Sequence, residues 1–192
     1  MGKEWKKRVA QWFAEHGDYL YRFALSRGIP PEKAEDLVQD VFTSLLAKGD
    51  TFRGESAPRT YLTSILRNKI IDHFREAGRR SRTESSDIEE VERILFTEEG
   101  EWAHPPSLWK SNPERMLKDE SFREALLECL DGLPEKQKAA FILREVEGME
   151  SDEVCKILGI SATNYHVLLH RARLRLQSCL ERTWFGASEE EK

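Results

Sequence analysis

Residues 151–176 read SDEVCKILGISATNYHVLLHRARLRL, and their spacing decides the fold of the second half of the chain. Ser151 is placed to cap a short helix, with Asp152 and Glu153 suited to its positive end. Gly159-Ile160-Ser161 then makes a tight turn into a long helix that continues to about Phe185. On that second helix Tyr165, Leu168, Leu169, Ala172, Leu176, Cys179 and Leu180 recur at threes and fours, which marks an inward stripe. Two helices joined by a three-residue turn containing glycine form a helix-turn-helix.

The other face of the long helix carries Thr163, His166, Val167, His170 and Arg171, with Ser161 and Asn164 at its start and Arg173 and Arg175 beside it. Residues 161–185 hold four arginines and one acid, a local excess of base in a domain that is acidic as a whole. A cationic helix entering the major groove by its N-terminal end reads base edges with such side chains, arginine suiting guanine and a valine methyl suiting thymine. An isolated cationic helix is about as often a solvated bundle face; the glycine turn in front of this one favours DNA. His166 and His170 are four apart, but two ligands do not make a zinc site and no paired motif supplies the rest. No metal and no cofactor is expected.

Working back, Phe122, Ala125, Leu126, Cys129, Leu130 and Leu133 form an apolar face ending at Pro134, and residues 135–147 a second helix ended by Gly148. Residues 83–112 hold eight acids against two bases and end in a Pro105-Pro106 step, which reads as a linker. The first half is again helical. Val9, Trp12, Phe13, Leu20, Phe23 and Ala24 share one face, and Ala34, Leu37, Val38, Val41, Phe42, Leu45 and Leu46 another. After the loop 49–57, Pro58 opens a third helix with Tyr61, Leu62, Ile65, Leu66, Ile70 and Phe74 inward. The expected fold is all-α: two small helical domains, residues 1–82 and 113–185, an acidic linker over 83–112 and a tail over 186–192.

Net charge is −5, yet residues 53–82 carry eight basic side chains against three acidic ones. A local basic stripe is the footprint of a phosphate-binding surface whatever the total. Arg59, Arg67 and Arg75 are eight apart and fall along one side of the third helix, with Asn68 and Asp72 near them. Phe52, Arg53, Ser56 and Tyr61 just upstream suit a pocket for an unstacked base. Cys129, Cys155 and Cys179 are odd in number and far apart, and are expected as free thiols packed in the core of a cytoplasmic protein. No apolar run approaches the ~20 residues of a membrane span, and no apolar stretch follows the basic N-terminus, so neither membrane insertion nor a signal peptide is expected. No phosphate-binding glycine loop, nucleophile elbow or paired metal motif is present, so no enzyme is expected.

These residues carry a family resemblance. Phe52-Arg53-Gly54-Glu55-Ser56-Ala57, Tyr61-Leu62 and Asn68-Lys69-Ile70-Ile71-Asp72-His73-Phe74-Arg75 resemble the second region of extracytoplasmic-function sigma factors of bacterial RNA polymerase. Asp36-Leu37-Val38-Gln39-Asp40-Val41-Phe42 resembles the helix by which they grip the polymerase β′ clamp. Leu133-Pro134, Phe141, Arg144-Glu145, Glu153-Val154, Leu158-Gly159-Ile160-Ser161 and His170-Arg171-Ala172-Arg173 resemble their fourth region. The chain has Tyr61 where the family usually has tryptophan, and Pro58-Arg59 in place of a common aromatic pair.

The resemblance implies core RNA polymerase (β′ clamp and β flap) and promoter DNA as partners, with promoter recognition, melting and transcription initiation for a stress- or signal-responsive gene set. It assigns Asp36, Gln39, Asp40 and Phe42 to core binding. Phe52, Arg53, Ser56, Arg59, Tyr61, Arg67, Asn68, Asp72 and Arg75 go to the minus-ten element, and Ser161, Thr163, Asn164, His166, Val167, His170, Arg171 and Arg175 to the minus-thirty-five element. The ending Cys179-Leu180-Glu181-Arg182-Thr183-Trp184-Phe185 resembles members paired with small zinc-binding anti-sigma factors. The alternative is a conventional helix-turn-helix regulator, with residues 1–82 as an effector or dimerisation domain.

Overall fold

The computed structural model describes residues 2–50, 52–80 and 118–185; the expected linker and tail lie outside them. All regular structure among the described residues is helical, as the periodicities require. The chain divides into two compact units between Phe74 and Arg75, inside the third helix.

In the first unit, α1 (Gly2–Leu25) and α2 (Pro31–Lys48) form an antiparallel hairpin. Trp5 near the start of α1 donates its indole N–H to the Leu45 carbonyl near the end of α2, while Phe13 meets Phe42 edge-on at 5.1 Å. The turn between them works as the Gly28-Ile29-Pro30-Pro31 run requires. Gly28 takes a left-handed φ of 66°, and Pro31 starts α2, where its missing N–H costs nothing. The core holds Trp5, Val9, Trp12, Leu20 and Ala24 from α1, and Ala34, Leu37, Val38, Val41, Phe42 and Leu45 from α2. α3 (Pro58–Arg80) contributes Leu62, Leu66, Ile70 and Phe74. Phe13 and Leu46, both expected to face inward, are 51% and 45% exposed.

In the second unit, α4 (Glu120–Asp131), α5 (Glu135–Phe141), α6 (Ser151–Leu158) and α7 (Ala162–Leu180) surround a core of Phe122, Leu130, Leu133, Ile142, Leu143, Val154, Leu158, Tyr165, Leu169 and Ala172. Wider π-helical turns extend α5 over Ile142–Val146 and α7 over Glu181–Phe185. Asp119 caps α4 through the Ser121 and Phe122 amides, and the Ser121 hydroxyl also donates to it, holding its carboxyl below the ordinary range. Glu150, not Ser151, is the cap residue of α6: its backbone N–H donates to Glu153 Oε2 at 3.3 Å, and Ser151 begins the helix proper.

The expectation of three free cysteines is overturned. Cys129 on α4 and Cys179 on α7 form a disulfide with Cα atoms 5.7 Å apart; only Cys155 is free among the three. Both lie on apolar helix faces, as the periodicity requires. Their 50-residue separation concealed that those two faces pack on each other.

Candidate nucleic-acid and polymerase interface

The turn before α7 has the geometry the sequence demands. Gly159 adopts φ 65° and ψ 39°, the left-handed conformation that lets a helix end abruptly without a Cβ clash. The Ile160 N–H donates back to the Cys155 carbonyl, and the Ser161 hydroxyl accepts from the Asn164 N–H, capping α7 at once. The two helix ends are therefore fixed by three consecutive residues.

On α7 the inward stripe is buried as expected, apart from Cys179, which is half-buried in its disulfide. Tyr165 is 2% exposed and anchors the N-terminal turn, its phenol pushed up by burial. The opposite face is open: Ser161, Thr163, Asn164, His166 and His170 are exposed, with Val167, Arg171 and Arg175 half-buried alongside. Arg173, on the same helix, is tied to α5. Its guanidinium pairs with Glu145 at the end of the α5 rod. Arg144 on that same rod donates to the Met149 carbonyl at 2.8 Å and pairs with Glu150. The Arg144-Glu145 pair of the sequence thus braces the loop before α6 with one side chain and α7 with the other. Among the described residues no group of three or more metal-ligating side chains comes together, His166 and His170 included.

Arg59, Arg67, Asn68, Asp72 and Arg75 are exposed on one continuous helix, α3, the first four in the first unit and Arg75 at the start of the second. Arg59 lies with its guanidinium 3.6 Å from the Tyr19 ring centre, so part of its charge faces an aromatic surface of α1. Arg53 and Ser56 are exposed on the 49–57 loop. Phe52 and Tyr61 are half-buried and packed together, ring centres 5.2 Å apart, and Phe52 also stands edge-on to Trp12 at 5.0 Å. The two aromatics share one cluster with α1, a tie that helical periodicity alone does not reveal.

On α2, Asp36, Gln39 and Asp40 are exposed, and Asp40 lies 3.8 Å from the Lys69 ammonium of α3. Phe42 is on the other side of the helix, 6% exposed against Phe13. The four residues grouped by resemblance as a docking surface therefore split into three surface groups and one core ring.

Comparison with known proteins agrees with both halves. Residues 12–80 match the family model for sigma-70 region 2, and residues 123–176 that for sigma-70 region 4. The chain is 37% identical to a probable RNA polymerase sigma factor of Haemophilus influenzae over 151 residues, covering 78% of this chain and 77% of that one. It is 30% identical to the ECF RNA polymerase sigma-E factor of Escherichia coli K12 over 149 residues, covering 78% and 74%. Among solved structures it is similar to the sigma factor RpoE in complex with the anti-sigma factor NepR from Bartonella quintana, at 28% identity, 91% and 98% coverage and a TM-score of 0.41. A basic loop and helix in one unit, a capped helix-turn-helix in the other and family matches over each place this chain in the extracytoplasmic-function sigma factors of RNA polymerase.

Proposed function

We propose a division of labour between the two units in promoter opening. Unit one takes up unpaired minus-ten bases on the 49–57 loop and α3, with Arg53, Ser56, Tyr61, Asn68 and Asp72 nearest the base. Arg59, Arg67 and Arg75 neutralise phosphate along α3. Unit two sets α7 into the major groove of the minus-thirty-five duplex, where Ser161, Thr163, Asn164, His166, Val167, His170 and Arg171 meet DNA. Asp36, Gln39 and Asp40 form the core-polymerase face. Unstacking a base costs a few kcal/mol, so bound polymerase and phosphate neutralisation must offset it. The observation that carries the reading is the open face of α7 directly behind the Gly159 turn. Resemblance further supports action in the cytoplasm, a signal-responsive gene set and restraint by a small zinc-binding anti-sigma protein. A conventional regulator would leave the exposed arginines and loop of unit one without a task.

Arg171 is assigned a guanine contact and Arg175 a phosphate. A lost bidentate base contact costs about 1–3 kcal/mol. Selection from a randomised minus-thirty-five library with the polymerase holoenzyme separates the two roles. Arg171→Ala is expected to relax preference at one or two bases by about five- to a hundredfold, and Arg175→Ala to weaken all sequences alike. An unchanged base preference in Arg171→Ala would remove that residue from the reading face.

A further inference from the structure

Trp5, Arg8 and Trp12 are spaced by three and four, so they lie on one side of α1. Each reaches toward the end of α2 or the loop beyond it. The Trp5 indole holds the Leu45 carbonyl at 3.0 Å and stands edge-on to Trp12, ring centres 5.7 Å apart. Arg8 pairs with Asp50 at 3.3 Å. Trp12 stands edge-on to Phe52, which packs against Tyr61 at the start of α3. Chemically unlike contacts thus grip the loop on both sides of residue 51.

The loop needs such a grip. Gly49 and Gly54 sit at φ 76° and 74°, and nothing lies within 4 Å of where a Cβ would stand at either. No neighbouring atom packs against either glycine, so the loop is held at its side chains rather than at these two positions. Arg53 and Ser56 are exposed around Gly54. Their placement depends on where Phe52 is held, and Phe52 is held by Trp12.

We propose that Trp12 and Arg8 are positioning residues for the promoter loop: without touching DNA, they fix the loop geometry that decides which unpaired base is accepted. The proposal rests on the reading that this loop takes up a minus-ten base. Trp12 is the stronger of the two, because it is buried and its ring contact is desolvated, whereas the Arg8–Asp50 pair is half-exposed and screened by solvent.

The test uses holoenzyme assembled from the full chain and a promoter set with each base in turn at the unpaired minus-ten positions. Core-polymerase affinity and helicity are measured in parallel. Trp12→Phe and Phe52→Leu are expected to lower discrimination at one unpaired position about three- to tenfold, with core affinity and minus-thirty-five preference unchanged. Arg8→Gln and Asp50→Asn should give up to about a threefold loss, and Arg8→Lys should restore the wild-type pattern. A change in core affinity alone would mean a merely structural role and would overturn the proposal. If Arg53→Ala and Ser56→Ala alter base preference while the Trp12, Arg8 and Asp50 variants do not, the positioning role falls and the loop reading stands. If Arg53→Ala and Ser56→Ala also leave preference untouched, the loop reading falls and takes the proposal with it. Should Trp12→Phe lose helicity, Arg8→Gln and Asp50→Asn, both at exposed sites, decide the matter.

Discussion

Reducing the Cys129–Cys179 disulfide is expected to lower the stability of the second unit by about 4 kcal/mol. The bond closes a loop across a 50-residue separation, and chain-entropy reasoning assigns about that much to a crosslink of such length. Whole domains are stable by only ~5–15 kcal/mol, so the loss is a large share. The bond ties the first helix of the unit to the last, beside the edge-on contact of Phe122 with Trp184 at 5.5 Å. Amide hydrogen exchange, with and without reductant, should show protection lost in α4 and α7 while α1 to α3 keep theirs. Cys129→Ser should reproduce the reduced protein in either condition, and Cys155→Ser should change little. Burial, and then the nearby Asp152 charge, push the Cys155 thiol up, which keeps it protonated and slow to exchange. Protection in α4 and α7 that ignores reductant would refute a stabilising role for the bond.

Phe42→Ala should cost about 3–5 kcal/mol, the usual price of emptying a buried aromatic site. Phe42 is 6% exposed and packs edge-on against Phe13, so the cavity opens inside the α1–α2 hairpin. Asp40→Ala and Gln39→Ala are surface changes and should stay within about 0.5 kcal/mol, since the Asp40–Lys69 pair is largely solvent-exposed on the Asp40 side. Urea unfolding beside retention on immobilised core polymerase distinguishes the cases. Phe42→Ala should lose both stability and retention, whereas Asp40→Ala should lose retention alone. Retention of Asp40→Ala equal to wild type would take that residue off the docking face.

Much of this was legible in the sequence because helical spacing is a local property. The stripes on α2, α3 and α7 were readable from apolar residues at threes and fours, and most of those side chains are buried; Leu46 is exposed, and Tyr61, Ile65 and Cys179 are half-buried. The Gly159 turn was readable because a glycine that ends one helix is followed two residues later by a serine that caps the next. Family resemblance, rather than periodicity, supplied the function. What escaped was tertiary. Periodicity puts Cys129 and Cys179 on apolar faces but cannot say that those faces meet. It likewise placed Phe42 in an apolar stripe while resemblance placed it on a docking surface, and burial goes with the stripe. The Arg173–Glu145 pair and the Trp12–Phe52 contact link residues 28 and 40 positions apart, beyond the reach of any local pattern.

Promoter opening by the full chain with core RNA polymerase is read directly by permanganate reactivity of promoter DNA mixed with both. Thymine reactivity should be confined to the minus-ten region, need both proteins, fall in Asn68→Ala at fixed salt, and accompany a run-off transcript of defined start. Tight, sequence-specific duplex binding by the chain alone, with no opening when core polymerase is added, would contradict a role in promoter opening.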